Sequence, residues 1–259
     1  MKKILYSLPI LFLLGSCGPD TPKLPEAKRK YIQFYCDISS SADSSRQETM
    51  FIKMNEVITK LSDSDIVDLY IISDKLNLPC SYHLVIPCKK EDTEMEELSY
   101  EQEKQTKISE FYSLLTNEIV QAKMKNKNAS YQQSCIINTL RTAYNKFMGT
   151  DTSRSECSLY YFSDLIEQCD GKNSDAGKLY FCSSTMYPDF ETLQSQIKES
   201  YNPKDINLKK YTGNRIYFVR STEGEGQGRC ISESQLNELW YLVLEKVGYS
   251  RADLIYFYQ

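Results

Sequence analysis

Five oxygen-bearing side chains stand at points in the chain where a sheet protein would gather them. Asp37, Ser39 and Ser41 follow an aromatic-rich apolar run at 31–36, Ser134 opens a helical stretch, and Asp164 follows a second apolar run at 158–163. Two carboxylates and three hydroxyls suit a hard divalent ion, Mg2+ first with Mn2+ or Ca2+ as alternatives, better than zinc or copper. Asp or Ser after a strand is also ordinary helix-capping chemistry, so the bare pattern leaves capping and metal ligation both open. His83 is the sole histidine, which excludes most two-His zinc sites and any mechanism needing two imidazoles. His83 has no acidic or cysteine neighbour in a recognised spacing and reads as a surface or packing residue. The Gly-rich stretch at 224–228 lacks the Lys-Ser/Thr of a phosphate-binding loop, and no G-x-S-x-G elbow occurs.

Positioning those groups falls to alternating elements. The run at 31–36 is a nearly continuous apolar strand, followed by a helix with Met50, Phe51, Met54, Val57, Ile58 and Leu61 on one stripe. Residues 65–73 read as the next strand and 82–86 as a weaker one at a sheet edge. The charged run at 91–103 reads as a solvated helix face or loop, passing into an amphipathic helix over 108–123. A helix at 134–147, a strand at 158–163, a possible short strand at 178–182, a helix at 190–199, a strand at 215–219, a helix at 232–247 carrying Trp240, and a strand at 254–257 complete the pattern. Strands separated by helices predict a three-layer, doubly wound α/β fold: a mostly parallel central sheet with helices on both faces. In such a sheet ligands bind outside the carboxyl ends of the strands, where Asp37, Ser134 and Asp164 would meet.

On these residues the chain resembles the von Willebrand factor A domains, the fold that integrin inserted domains share. Asp37-Ile38-Ser39-Ser40-Ser41 matches their DxSxS signature, Asp164 matches the last metal-site carboxylate, Ser134 stands where threonine is usual, and the element order agrees over about residues 30 to 258. The resemblance implies that Asp37, Ser39, Ser41, Ser134 and Asp164 hold a divalent ion directly or through water, with one coordination position open for a carboxylate from a protein partner. The chain departs from the family twice. Leu165 follows the last Asp where Gly is common, and Ser134 keeps the hydroxyl of threonine without its methyl.

The amino-terminal segment carries a different signal. Lys2 and Lys3 precede an almost wholly apolar run at 4–14, about half of the roughly 20 residues a membrane-spanning helix needs, so it reads as a signal-peptide core. Its end, Leu14-Gly15-Ser16-Cys17, resembles the lipobox of bacterial lipoproteins. This implies a signal peptide at 1–16, a lipidated tether at 17–29 attached through Cys17, and a folded domain at 30–259. Gly18 lacks the Asp that often marks inner-membrane retention, which points to the outer membrane or cell surface of a bacterial envelope. Setting Cys17 aside leaves eight of the nine cysteines, an even number that permits disulfides in an oxidising compartment. Cys80 with Cys88 and Cys169 with Cys182 are the pairs whose spacing suggests bridges, while Cys36 inside a strand reads as a small buried hydrophobe.

The 259 residues are 41% hydrophobic and 25% charged, which excludes collagen-like and wholly disordered chains. A formal charge of -4 argues against nucleic acid as a partner, since phosphate binding needs a basic face. The expected function is therefore a membrane-anchored, non-enzymatic module that binds an acidic side chain of a protein partner through its ion. The alternatives are a metal-dependent hydrolase on the same fold, with Asp37 as nucleophile, and a structural envelope lipoprotein with a vestigial site. Against a hydrolase, Ser39 occupies the place of the second Asp that such phosphatases typically carry.

Overall fold

The computed structural model describes residues 28–38, 44–72, 78–90, 93–126, 135–167, 181, 189–213, 215–219, 231–253 and 256–258. Six strands form one sheet: β1 (Arg29–Cys36), β2 (Ile66–Ile71), β3 (Tyr82–Val85), β4 (Ser155–Phe162), β5 (Ile216–Val219) and β6 (Tyr256–Tyr258), in the order β3-β2-β1-β4-β5-β6. All pairs are parallel except β2 with β3. The helices are α1 (Ser44–Ile58), α2 (Glu94–Asn126), α3 (Ile136–Phe147), α4 (Phe190–Ser200), α5 (Lys209–Thr212) and α6 (Glu233–Glu245). This is the three-layer α/β fold expected from the alternation of elements.

Strand alternation sorts the core into two halves. On β1, Ile32, Phe34 and Cys36 pack with Met50, Met54 and Ile58 of α1 and Phe111 and Leu115 of α2. Tyr31 and Tyr35 face the other way, toward Ile137, Leu140 and Phe147 of α3 and Leu239, Trp240 and Val243 of α6. Side chains one residue apart point to opposite faces, so a strand buried on both sides reads as a continuous apolar run. Tyr35 is stacked between its register partners Tyr70 and Tyr161, with centroids 4.9 and 5.1 Å away. Such aromatic pairs contribute about 0.5–1.5 kcal/mol each beyond burial.

Tertiary context decides one expectation and changes another. Of the two readings of the charged run the solvated helix face holds from Glu94 on, as the first turns of the 33-residue α2, with Glu94, Glu96 and Glu97 at the end where the helix dipole favours anions. Only a narrow stripe of α2, including Tyr100, Phe111, Leu115 and Ile119, is buried, so most of the helix carries polar residues without cost. His83 does have an acidic partner, reached across the sheet rather than along the chain. Antiparallel pairing sets it opposite Asp68, and its Nδ1 donates to Asp68 Oδ1 at 2.5 Å. Asp68 is itself buried and also accepts from the hydroxyls of Tyr31 and Tyr70, at 2.7 and 3.2 Å.

The Cys80–Cys88 bridge is absent. Both are free thiols, Cys80 donating to the Tyr82 carbonyl at 3.1 Å and Cys88 lying against the Ser64 hydroxyl at 2.6 Å. Strand β3 keeps the chain between them extended. At roughly 3.3 Å per residue such a segment carries its ends well beyond the roughly 7 Å Cα separation that a disulfide tolerates. Cys36 is free and wholly buried, behaving as a small hydrophobe. Cys135 is disulfide-bonded to a cysteine outside the described residues, where the expected Cys169–Cys182 pair, Cys17, residues 1–27 and all but Phe181 of the possible strand at 178–182 also lie. Among the described residues no helix is long and apolar enough to cross a membrane.

Candidate functional site

The strand order reverses between β1 and β4: β2 and β3 extend the sheet on one side, β5 and β6 on the other. A crevice forms outside the carboxyl ends of strands at such a switch point, because the connections leaving the two strands diverge. The register pairs Cys36 with Phe162 as the last rung of the ladder, and the Asp37 amide extends it by donating to the Phe162 carbonyl at 2.9 Å. Asp37 and Asp164 therefore emerge from adjacent strand ends at the switch point. Ser39, Ser41 and Ser134, the three expected hydroxyl donors, lie outside the described residues.

Ser163 ties the two strand ends together. Its hydroxyl donates to Asp37 Oδ2 at 3.1 Å and accepts from the Leu165 amide at 3.0 Å. The next side chain, Asp164, is partly exposed and accepts from the Ile166 amide through Oδ1 at 3.0 Å. Asp37 is 4% exposed. One carboxylate is thus sequestered and the other reaches toward solvent.

Leu165 is held in the left-handed region, with φ at +64°. That conformation costs an L-residue roughly 1–2 kcal/mol, which glycine avoids. Here burial offsets the cost. Leu165 is wholly buried among Trp240, Phe181 and Ile136 in the same core, and its carbonyl accepts the indole N–H of Trp240 at 2.9 Å. The turn that glycine would supply by conformational freedom is supplied by packing.

Sequence reading missed Glu167. Its carboxyl is wholly buried at the amino terminus of α3, where Oε2 accepts the Ile137 amide at 2.8 Å. The residue at the N-cap position, Cys135, makes no side-chain cap bond, so Glu167 satisfies amides that a helix start otherwise leaves unpaired. Burial pushes its pKa up to about 8; the amides of Ile137 and Ile136 pull against this, and the charge of Asp37 adds to it. Its second oxygen, Oε1, is buried without a hydrogen-bond partner. The only signal in the sequence was a carboxylate three residues beyond Asp164, after Leu165 and Ile166, and nothing local said that it would turn inward.

The donor set fits a hard ion only if the serines take part. Among the described residues no three His, Cys, Asp or Glu side chains converge to hold a metal, so Asp37 and Asp164 would need hydroxyl donors to complete a coordination shell. Two carboxylates with added hydroxyls remain an oxygen-only set, the chemistry that Mg2+ accepts. The start of α3, whose amides carry a partial positive charge, is capped by the buried Glu167 carboxyl.

No family model and no curated protein matches the chain. Among solved structures it is similar to the conserved hypothetical protein BatB from Bacteroides thetaiotaomicron, with 12% identity over 88% of this chain and 89% of that chain, at a TM-score of 0.33.

Proposed function

We propose that this chain is a von Willebrand factor A-like module of a bacterial lipoprotein, anchored through Cys17 and binding a protein partner through a divalent ion rather than catalysing a reaction. The observation that carries this reading is the arrival of Asp37 and Asp164 at adjacent strand ends of the switch point, joined by the Ser163 hydroxyl. The Leu165 turn adds support, since it keeps a left-handed backbone at the position where that family commonly has glycine.

In this reading Asp37, Ser39, Ser41, Ser134 and Asp164 hold Mg2+, Mn2+ or Ca2+. When bound, the ion supplies an open coordination position for an acidic side chain of the partner. The protein's own residues do the remaining work. Ser163 orients Asp37, the Leu165–Trp240 contact sets the turn that aims Asp164, and Glu167 fixes the start of α3 next to Ser134. The lipid would confine the domain to the outer membrane or cell surface, restricting its partners to those presented there.

Titration of the full chain with Mg2+ and Mn2+, followed by thermal denaturation, tests this. An ion that binds the native state raises stability by about 2.7 kcal/mol at a hundredfold excess over its Kd. The rise is expected in the parent and lost in Asp37→Ala. A parent indifferent to every divalent ion would count against the site.

A further inference from the structure

The opposite end of the sheet gathers four cations, Lys30, Lys53, Lys60 and Arg215, in a chain whose overall charge is -4. On the face that α1 covers, the sheet is left partly open as a groove of about 240 Å3. Its floor includes Ser158 on β4 and the rings of Tyr160 and Tyr217, stacked at 4.3 Å. Around it stand Lys30 at the start of β1, Lys53 and Lys60 on and just beyond α1, and Arg215 just before β5.

These cations are only partly neutralised. Lys53 pairs with Glu56 at 2.7 Å and Arg215 with Glu156. Lys30 spends its ammonium on the Lys60 carbonyl at 2.8 Å, a neutral group. Four cations stand against Glu56, Glu156 and the buried Asp65, whose carboxylate accepts the Lys30 amide at 2.7 Å, so one positive charge remains over a floor that includes two tyrosine rings. Clefts lined by one sign of charge with low-dielectric walls concentrate counter-ions, and a phosphate ester carries the one to two negative charges that would balance this excess. Lysine serves phosphate as a point charge and arginine as a planar fork, and both are present.

We propose that this groove is a binding site for a phosphate-bearing anion, independent of the ion site at the far end of the strands. Lys30 and Asp37 lie at opposite ends of β1, about 23 Å apart at roughly 3.3 Å per residue. The phosphate can belong to a soluble ester or to a lipid headgroup, since β1 begins where the segment from Cys17 arrives.

Inorganic phosphate titrated into the full chain at constant ionic strength, with chloride as the balancing anion, tests the site by calorimetry and by thermal denaturation. Phosphate is expected to bind and to raise the midpoint above that in chloride. Lys60→Gln and Arg215→Gln should each weaken binding roughly tenfold, the scale of one lost charged hydrogen bond, while Glu56→Gln should tighten it by removing a negative charge from the groove wall. Unchanged unfolding curves in chloride show that these exposed variants fold. Asp37→Ala should bind phosphate like the parent, which separates this site from the divalent one. Phosphate acting no differently from chloride, or charge variants binding as tightly as the parent, would overturn the proposal. Competition by phosphatidylglycerol vesicles but not by phosphatidylcholine vesicles identifies a headgroup as the source; competition by glycerol phosphate alone identifies a soluble ester.

Discussion

The indole N–H of Trp240 on α6 donates to the carbonyl of Leu165, 75 residues earlier, at 2.9 Å. It pins the one residue after Asp164 whose backbone is left-handed, so a wholly buried side chain of α6 holds the loop that presents the candidate site. Trp240→Phe keeps most of the ring's burial but leaves that carbonyl unpaired. A loss of about 1–3 kcal/mol is expected in chemical denaturation, and a variant as stable as the parent would show that the contact contributes nothing.

The strain at Leu165 makes a second prediction with an unusual sign. Replacing a buried leucine by alanine typically costs about 2–5 kcal/mol, and glycine is ordinarily worse still. At φ +64° glycine is relieved of the left-handed penalty while alanine retains it. Leu165→Gly should therefore be at least as stable as Leu165→Ala, by up to about 1 kcal/mol. Paired denaturation curves of the two variants decide it.

Glu167 predicts a pH dependence. Its carboxyl is raised from an ordinary value of 4.5 to about 8 in the fold, with burial the chief cause. The native state therefore favours the protonated form. The stability this provides is fully present below pH 4.5 and is lost as pH rises toward and through 8. Glu167→Gln removes the titration. The parent's stability relative to this variant should fall by a few kcal/mol, an order-of-magnitude figure, between pH 4.5 and 8 in the presence of chelator. Parallel pH–stability curves for the two proteins would refute this.

Asp68 is the buried carboxylate that joins β1, β2 and the edge strand β3 through Tyr31, Tyr70 and His83. Asp68→Ala strands the buried Tyr70 hydroxyl and the half-buried Tyr31 hydroxyl and should cost about 3 kcal/mol. His83→Ala, at an exposed ring on the edge, should cost much less. Equal losses would mean that the imidazole, not the tyrosine pair, is the chief beneficiary of this carboxylate.

The free thiols predict a labelling order. Cys88 is exposed, whereas Cys36 and Cys157 are buried and burial pushes both thiols upward, Cys157 to about 12. The thiolate is the reactive form. Alkylation of the native protein followed by mass spectrometry should modify Cys88 first, and Cys36 only after unfolding. A recovered Cys80–Cys88 peptide would contradict the extended β3 between them.

Hydrophobic periodicity determined much of this molecule unaided. The runs at 31–36 and 158–163 were legible as strands because a strand buried on both faces has no polar side, and the stripe of Met50, Met54 and Ile58 was legible as a helix for the converse reason. The same runs placed Asp37 and Asp164 at strand ends, since a carboxylate that follows an apolar strand marks where the strand leaves the core. These are short-range properties, decided by residues a few positions apart.

Contacts between distant residues were decided only by the tertiary structure. No local pattern told that β3 would pair antiparallel and bring Asp68 onto His83, or that Glu167 would cap α3 30 residues away. The left-handed turn at Leu165 belongs to the same class. Leucine has no preference for that conformation, and its burial against Trp240 and its neighbours in the same core offsets the cost. Burial energy summed over a core outweighs one or two kcal/mol of local preference, which is why the ends of the strands could be read from the chain but the shape of the site between them could not.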